Sequence, residues 1–118
     1  MPAYTHNGLV IYELEPVGPL LGSEMTAPDL IGESYDANPA LISVPVSRLA
    51  LGFLDLSTRV AGEVFQKMEQ YGQRLVVLGD VSESIAASKA LQDFVRETNA
   101  RGHHLFVPDR AALLARLT

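Results

Sequence analysis

Residues 53–80 read FLDLSTRVAGEVFQKMEQYGQRLVVLGD, and this stretch decides the fold. Within it Ala61, Val64, Phe65 and Met68 recur at i, i+3, i+4 and i+7, the spacing of one helical face, while Glu63, Lys67 and Gln70 fall away from it. Gly72 offers the left-handed residue that commonly ends a helix. RLVVLGD (74–80) follows at once, a short and nearly continuous apolar run of the kind expected for a strand covered on both faces. An amphipathic helix leading by a tight turn into a buried strand is half of a β-α-β unit.

The flanking segments complete the unit. Upstream, LISVPV (41–46) is a second apolar strand, with Pro45 placed near its end because proline cannot donate to a ladder. Downstream, Ala87, Leu91, Phe94, Val95 and Thr98 fall in phase as one helix ending at Gly102. HHLFV (103–107) reads as the last strand, and Pro108-Asp109 opens a final helix with Leu113, Leu114 and Leu117 inward. Toward the N-terminus, GLVIYEL (8–14) is β-branched and aromatic, hence a strand, with His6 in a frayed terminus before it. VGPLLG (17–22) is either a second paired strand or a turn, since Gly18-Pro19 interrupts it. Thr26 caps a helix that has Pro28 and Asp29 in its first turn, runs to about Tyr35 and is closed by Asp36-Ala37-Asn38-Pro39. The alternation implies parallel strands joined by right-handed crossovers. The expected architecture is an α/β sandwich: a mostly parallel sheet of four or five strands with about four helices, in a single domain over residues 1–118.

Composition narrows the chemistry. A chain of 118 residues, 47% hydrophobic and 19% charged, can bury a core without staples. It has no cysteine, which excludes disulfide scaffolds, thiolate metal sites and thiol nucleophiles. Its net charge of −5 has the wrong sign for a nucleic-acid footprint, so no nucleic-acid partner is expected. MPAYTHNGLVIY lacks the basic start and small-residue motif of a signal peptide, and no run approaches the ~18 apolar residues of a membrane span. The expectation is a cytoplasmic protein with no membrane partner.

In a parallel sheet, ligands approach the carboxyl ends of the strands. Three segments fall there: Asp55-Leu56-Ser57-Thr58-Arg59, Gly79-Asp80-Val81-Ser82 and Pro108-Asp109-Arg110, expected to converge along one edge. Asp55, Ser57 and Thr58 supply more capping oxygens than one helix needs, and a helix N-terminus attracts anions. Ser57 or Thr58 could there carry a phosphate as a switch. Plain helix capping explains the same residues. Asp80 is either a base or ligand carboxylate, or a cap for the next turn. Gly62 lies inside a helix, where glycine costs about 1 kcal/mol against alanine. Close packing is the expected reason, so that Gly62→Leu should destabilise the fold. His103 and His104 are adjacent on an expected strand, which aims them to opposite faces and excludes a shared metal. No catalytic constellation, Walker loop, G-x-G-x-x-G or H-E-x-x-H occurs, and no cofactor is expected.

The run Phe53-Leu54-Asp55-Leu56-Ser57-Thr58-Arg59-Val60-Ala61-Gly62-Glu63-Val64-Phe65-Gln66-Lys67, followed by LVVLGD, LQDFVRETN and LFVPD, resembles the bacterial family known as domain of unknown function 4180. The likeness is strongest over residues 41–117. The family pattern commonly has glycine where Arg59 stands. More distantly, the order strand, Asp-Ser turn, amphipathic helix, strand, helix, strand, helix is similar to the STAS domain of anti-sigma-factor antagonists. On that likeness Asp55 matches the aspartate of the motif and Ser57 its phosphorylatable serine. Thr58 and Val60 stand in place of its two glycines. The resemblance implies helices packed on a sheet and a regulatory loop at 55–59.

The leading expectation is a non-enzymatic STAS-like regulatory or interaction domain that presents the 55–59 loop to a protein partner or a small anionic ligand. Self-association as a homodimer stays open. One rival is a small-ligand sensor with a pocket at the strand carboxyl ends, using Ser57, Thr58, Arg59 and Asp80. Another is a small enzyme with Asp55 or Asp80 as acid/base. An exposed apolar patch beside the loop, an enclosed pocket with convergent N–H groups, or a carboxylate with a strongly perturbed pKa in a cleft tells the three apart.

Overall fold

The computed structural model describes residues 3–117; residues 1, 2 and 118 of the expected single domain lie outside the described residues. Five strands form one sheet in the order β1-β2-β3-β4-β5: β1 (Ala3–His6), β2 (Leu9–Glu13), β3 (Leu41–Pro45), β4 (Leu75–Leu78) and β5 (Leu105–Val107). β1 and β2 are antiparallel, and every later neighbour is parallel, in the registers Ile42↔Leu75 and Val77↔Phe106 among others. Five helices accompany them: α1 (Ala27–Ser34), α2 (Val60–Gln70), α3 (Ser82–Ala87), α4 (Lys89–Arg101) and α5 (Arg110–Arg116). The α/β class and the mostly parallel sheet are as expected.

Two local readings needed change, and one left open is resolved. His6 is not frayed: it pairs with Leu9 in an antiparallel hairpin turned by Asn7 and Gly8, at φ +50° and +78°. Asn-Gly is the dipeptide that best tolerates two successive positive φ angles. The single helix expected across Ala87 is two helices, because Ser88 leaves the helical conformation and its side chain accepts from Leu91 N–H as the N-cap of α4. Of the two alternatives at residues 17–22 the turn is nearer: 17–19 bend, and Leu21 makes only isolated bridges, to Met25 and Leu49. The buried Arg48 holds that turn by donating from Nε to Pro19 O (2.7 Å) and from Nη1 to Glu15 O (2.9 Å).

Capping at α1 is as the sequence suggests. Thr26 Oγ1 accepts from Asp29 N–H, and the Asp29 carboxylate accepts from Thr26 N–H, a reciprocal box. Asp109 likewise caps α5 through Ala112 N–H.

Strand order explains where the helices sit. Crossovers of one hand that always step the same way leave their helices on the same side of the sheet. Leu30 of α1, Val64, Phe65 and Met68 of α2, and Leu91 and Val95 of α4 accordingly share one buried cluster with Ile42, Val44, Leu75 and Val77. α5 follows the last strand and makes no further crossover. It closes the opposite face, with Leu113 on Ile11, Leu41, Val76, Leu105 and Val107.

Phe65 is the hub of the first face. Its ring lies 5.6 Å from Phe94, 5.7 Å from Phe106, 6.2 Å from Phe53 and 5.0 Å from the His104 imidazole. Tilted and edge-on rings at such separations add to the area they bury. The outer edge of β5 is closed by Asn99, whose side chain accepts from Phe106 N–H (2.7 Å) and donates to Phe106 O (3.1 Å). That pairing occupies backbone groups which would otherwise invite another strand.

Candidate functional site

The 55–59 turn hangs from Phe53, which is buried, and begins after Leu51, which is 99% exposed. Asp55 Oδ1 accepts from Ser57 N–H (3.0 Å) and from Ser57 Oγ (2.7 Å), closing a short 3-10 turn over Leu56–Thr58. Those bonds, the side-chain one foremost, hold the Asp55 carboxyl below its ordinary value. Thr58 Oγ1 lies within donating distance of Gly52 O (2.9 Å) and Asp55 O (2.8 Å), and it accepts from Val60 N–H at 3.3 Å. Of the three capping side chains, therefore, only Thr58 touches the start of α2, while Asp55 and Ser57 are spent on the turn before it. Arg59 occupies the N-cap position at φ +65° with no side-chain bond to the helix. A left-handed residue there favours glycine.

Asp80 and Arg110, of the other two segments, have partners of their own. Asp80 accepts from Ser82 N–H (2.9 Å) at the start of α3, and hydrogen bonding from Ser82 lowers its pKa in an exposed position. Arg110 donates to Glu13 Oε2 (3.0 Å) on β2 and lies 4.4 Å from the centroid of the Tyr4 ring. Among the described residues no hydrogen bond or ion pair joins Asp80 or Arg110 to the 55–59 turn. Strand order accounts for this. A carboxyl-end crevice opens where the order reverses and successive helices part to opposite faces. Here the order never reverses.

Open space is found on both flanks of α2 instead. Between α1 and α2 lies a groove of about 470 Å³, lined by Ala27, Pro28, Val60, Val64, Lys67 and Gln70 among others. Between α2 and α4 lies a groove of about 210 Å³. Its α2 wall is Gly62, Phe65, Gln66 and Glu69, and its α4 wall is Phe94, Thr98 and Arg101, each a single helical stripe. The close packing expected for Gly62 is not present. The residue is exposed, and a Cβ built on it would meet nothing within 4 Å. The glycine keeps the α2–α4 groove free of a side chain.

That groove ends on the two histidines, and the opposite-face expectation fails there. His103 and His104 precede β5, in a bend where strand alternation does not apply, and their rings meet edge-on at 4.5 Å. One ligand atom each from Glu69, His103 and His104 falls within 4.8 Å of the others. The donor chemistry nevertheless argues against a shared cation. Leu75 N–H donates to His104 Nδ1 (3.0 Å), so the neutral ring carries its proton on Nε2. A cation on Nε2 would need the reverse, a free Nε2 pair with the proton on Nδ1, and the Leu75 N–H already occupies Nδ1. His104 Nε2 is buried, without a hydrogen-bond partner, and 3.9 Å from Glu69 Oε1. Burial foremost, and then His103, lower the His104 pKa to about 4.

Gly62, Phe65, Glu69, Phe94, Arg101 and His104 were not singled out together from sequence. The traceable signal was the i, i+3, i+4, i+7 stripe from Gly62 to Glu69, a glycine standing in line with an aromatic and an acid. Among the described residues no helix is long and apolar enough to cross a membrane.

No curated protein and no solved structure matches the chain. The family model described as Domain of unknown function (DUF4180) matches residues 6–117, and by that near-complete match the chain belongs to the DUF4180 family.

Proposed function

We propose that this domain is a non-enzymatic, STAS-like regulatory module that presents the 55–59 turn, with Leu51 beside it, to a protein partner. The observation that carries the reading is the full exposure of Leu51 at the mouth of a turn whose polar side chains are fixed by their own hydrogen bonds. Exposed apolar side chains beside a polar rim mark protein–protein surfaces where they join into a patch. The α1–α2 groove extends the surface from Val60, with Ala27, Pro28 and Val64 as its apolar part and Lys67 on its rim. Its shape suits an amphipathic helix or strand of the partner.

Ser57 gives this surface a switch. Its Oγ lies 2.7 Å from the Asp55 carboxylate. A phosphate of about −2 charge in that position would repel Asp55, dissolve the turn and alter the docking surface. The acid/base reading has less support, because Asp55 and Asp80 both sit exposed with lowered pKa values and so stay ionised, poor acids and weak bases near neutrality. The sensor reading centred on Arg59 and Asp80 lacks an enclosing cavity in either groove described here.

Cross-linked affinity capture tests the proposal, using wild type, Leu51→Asp and Ser57→Asp. A partner held by the wild type and lost from both variants, while their melting temperatures stay within a few degrees, is the expected result. An identical partner set for all three proteins would remove the interaction reading. Intact mass spectrometry of the protein from its native cells then reads phosphate on Ser57.

A further inference from the structure

We propose that the α2–α4 groove binds a small planar molecule with a carboxamide edge, in which the ring lies on Phe65 and Phe94, the carbonyl accepts from His104 Nε2–H, and the N–H donates to Glu69 Oε1. Three independent features of the molecule converge on this groove.

The first is an unused donor. His104 is 7% exposed, lines the groove and has its tautomer set by Leu75 N–H, yet its Nε2–H has no partner. Buried donors are almost always satisfied, so a buried N–H without a partner in the wall of a groove is where a ligand acceptor would add most. The second is a matched acceptor. Glu69 Oε1 stands 3.9 Å from that N–H, too far to satisfy it, and is held in place by Arg101 at 3.4 Å. The third is Gly62. A helix interior disfavours glycine, packing does not require one here, and any larger residue would project into the groove.

These features select the guest. A divalent cation is disfavoured by the protonated Nε2, as derived above. A carboxylate would meet the Glu69 carboxylate next to the donor it seeks. A pure hydrocarbon would fill the aromatic floor and leave the N–H unpaired. Only a group that accepts and donates on neighbouring atoms satisfies His104 and Glu69 together. A carboxamide built into or onto a flat ring does so, as in a pyrimidine-type base or a pyridine carboxamide, and a single ring suits a groove of about 210 Å³.

The test is a two-dimensional NMR titration of the whole protein with uracil and, separately, nicotinamide, with benzoate and toluene as controls. Wild type, Gly62→Leu and Glu69→Leu are compared. The expected result is saturable shifts at Phe65, Phe94 and His104 with at least one carboxamide, a moved His104 Nε2–H signal, and at least tenfold weaker binding by both variants. Uracil and nicotinamide tell apart a base and a pyridine ring as the preferred source of the shared edge. Shifts with neither carboxamide overturn the proposal, as does benzoate or toluene binding as tightly as the better carboxamide, or variant affinities equal to wild type. Glu69 is on the exposed rim, so Glu69→Leu keeps the test decisive should Gly62→Leu fail to fold.

Discussion

The two flanks of α2 make an instructive pair. On the α1 side the groove is wider, and its walls are apolar side chains bordered by exposed Glu63, Lys67 and Gln70. On the α4 side the groove is half that volume, has an aromatic floor and ends on a buried imidazole N–H with no partner. One helix thus presents a surface that a partner could cover and, on its opposite flank, a slot that asks for a particular hydrogen bond. Volume by itself would favour the first as the ligand site. The unpaired donor favours the second, because an apolar wall accepts any hydrocarbon whereas an orphaned N–H discriminates.

Perturbing the floor of the α4 side should cost the most. Phe65→Ala removes the ring common to the four aromatic contacts and is expected to lose about 3–5 kcal/mol in urea unfolding. A loss below about 1 kcal/mol would mean that the aromatic floor is not what joins α2 to α4.

The imidazole gives the next largest effect. Its pKa lies near 4 in the fold against 6.5 for a free imidazole side chain, so between those values the unfolded chain binds the extra proton. Stability from the neutral ring is complete above pH 6.5 and is lost as pH falls toward 4, by up to about 3 kcal/mol. His104→Gln, which can still accept from Leu75 N–H, should flatten that part of the profile. Parallel profiles for variant and wild type would show that the ring titrates as if exposed.

Gly62→Ala should raise stability by about 1 kcal/mol, since the added methyl meets nothing and helix propensity improves. Destabilisation would restore the packing role and close the slot as a site. The smallest effect is expected on the turn that leads into α2. Arg59→Gly relieves a left-handed backbone at φ +65° and should stabilise by roughly 0.5–1 kcal/mol, read as a small rise in melting temperature.

Local signals placed the helices and the parallel strands well. Apolar spacing located α2, and β-branched runs located β3 and β4. Thr26, Asp109 and Gly72 marked element ends, because each acts on backbone groups within a few residues. The Asn7-Gly8 hairpin was equally local and readable, but its strand β1 has only four residues, Ala3–His6, too few to show a period. Ser88 was masked by a helical phase that runs through it. The site was less legible. Asp55, Ser57 and Thr58 are bonded within the turn much as their types suggest, but the topology gave them no crevice, and strand order is not written in any one segment.

The sequence by itself determined a single α/β layer arrangement, the caps and the polar turn at 55–59, since these follow from backbone periodicity and short-range hydrogen bonding. Only the tertiary structure decided that Gly62 faces open space, that two neighbouring histidines converge, and that His104 must donate from Nε2. Each of those depends on a partner distant in the chain, as Leu75 is from His104, 29 positions away. Such a pairing is fixed by how β4 and β5 come into register beneath α2 and α4, which no local pattern specifies.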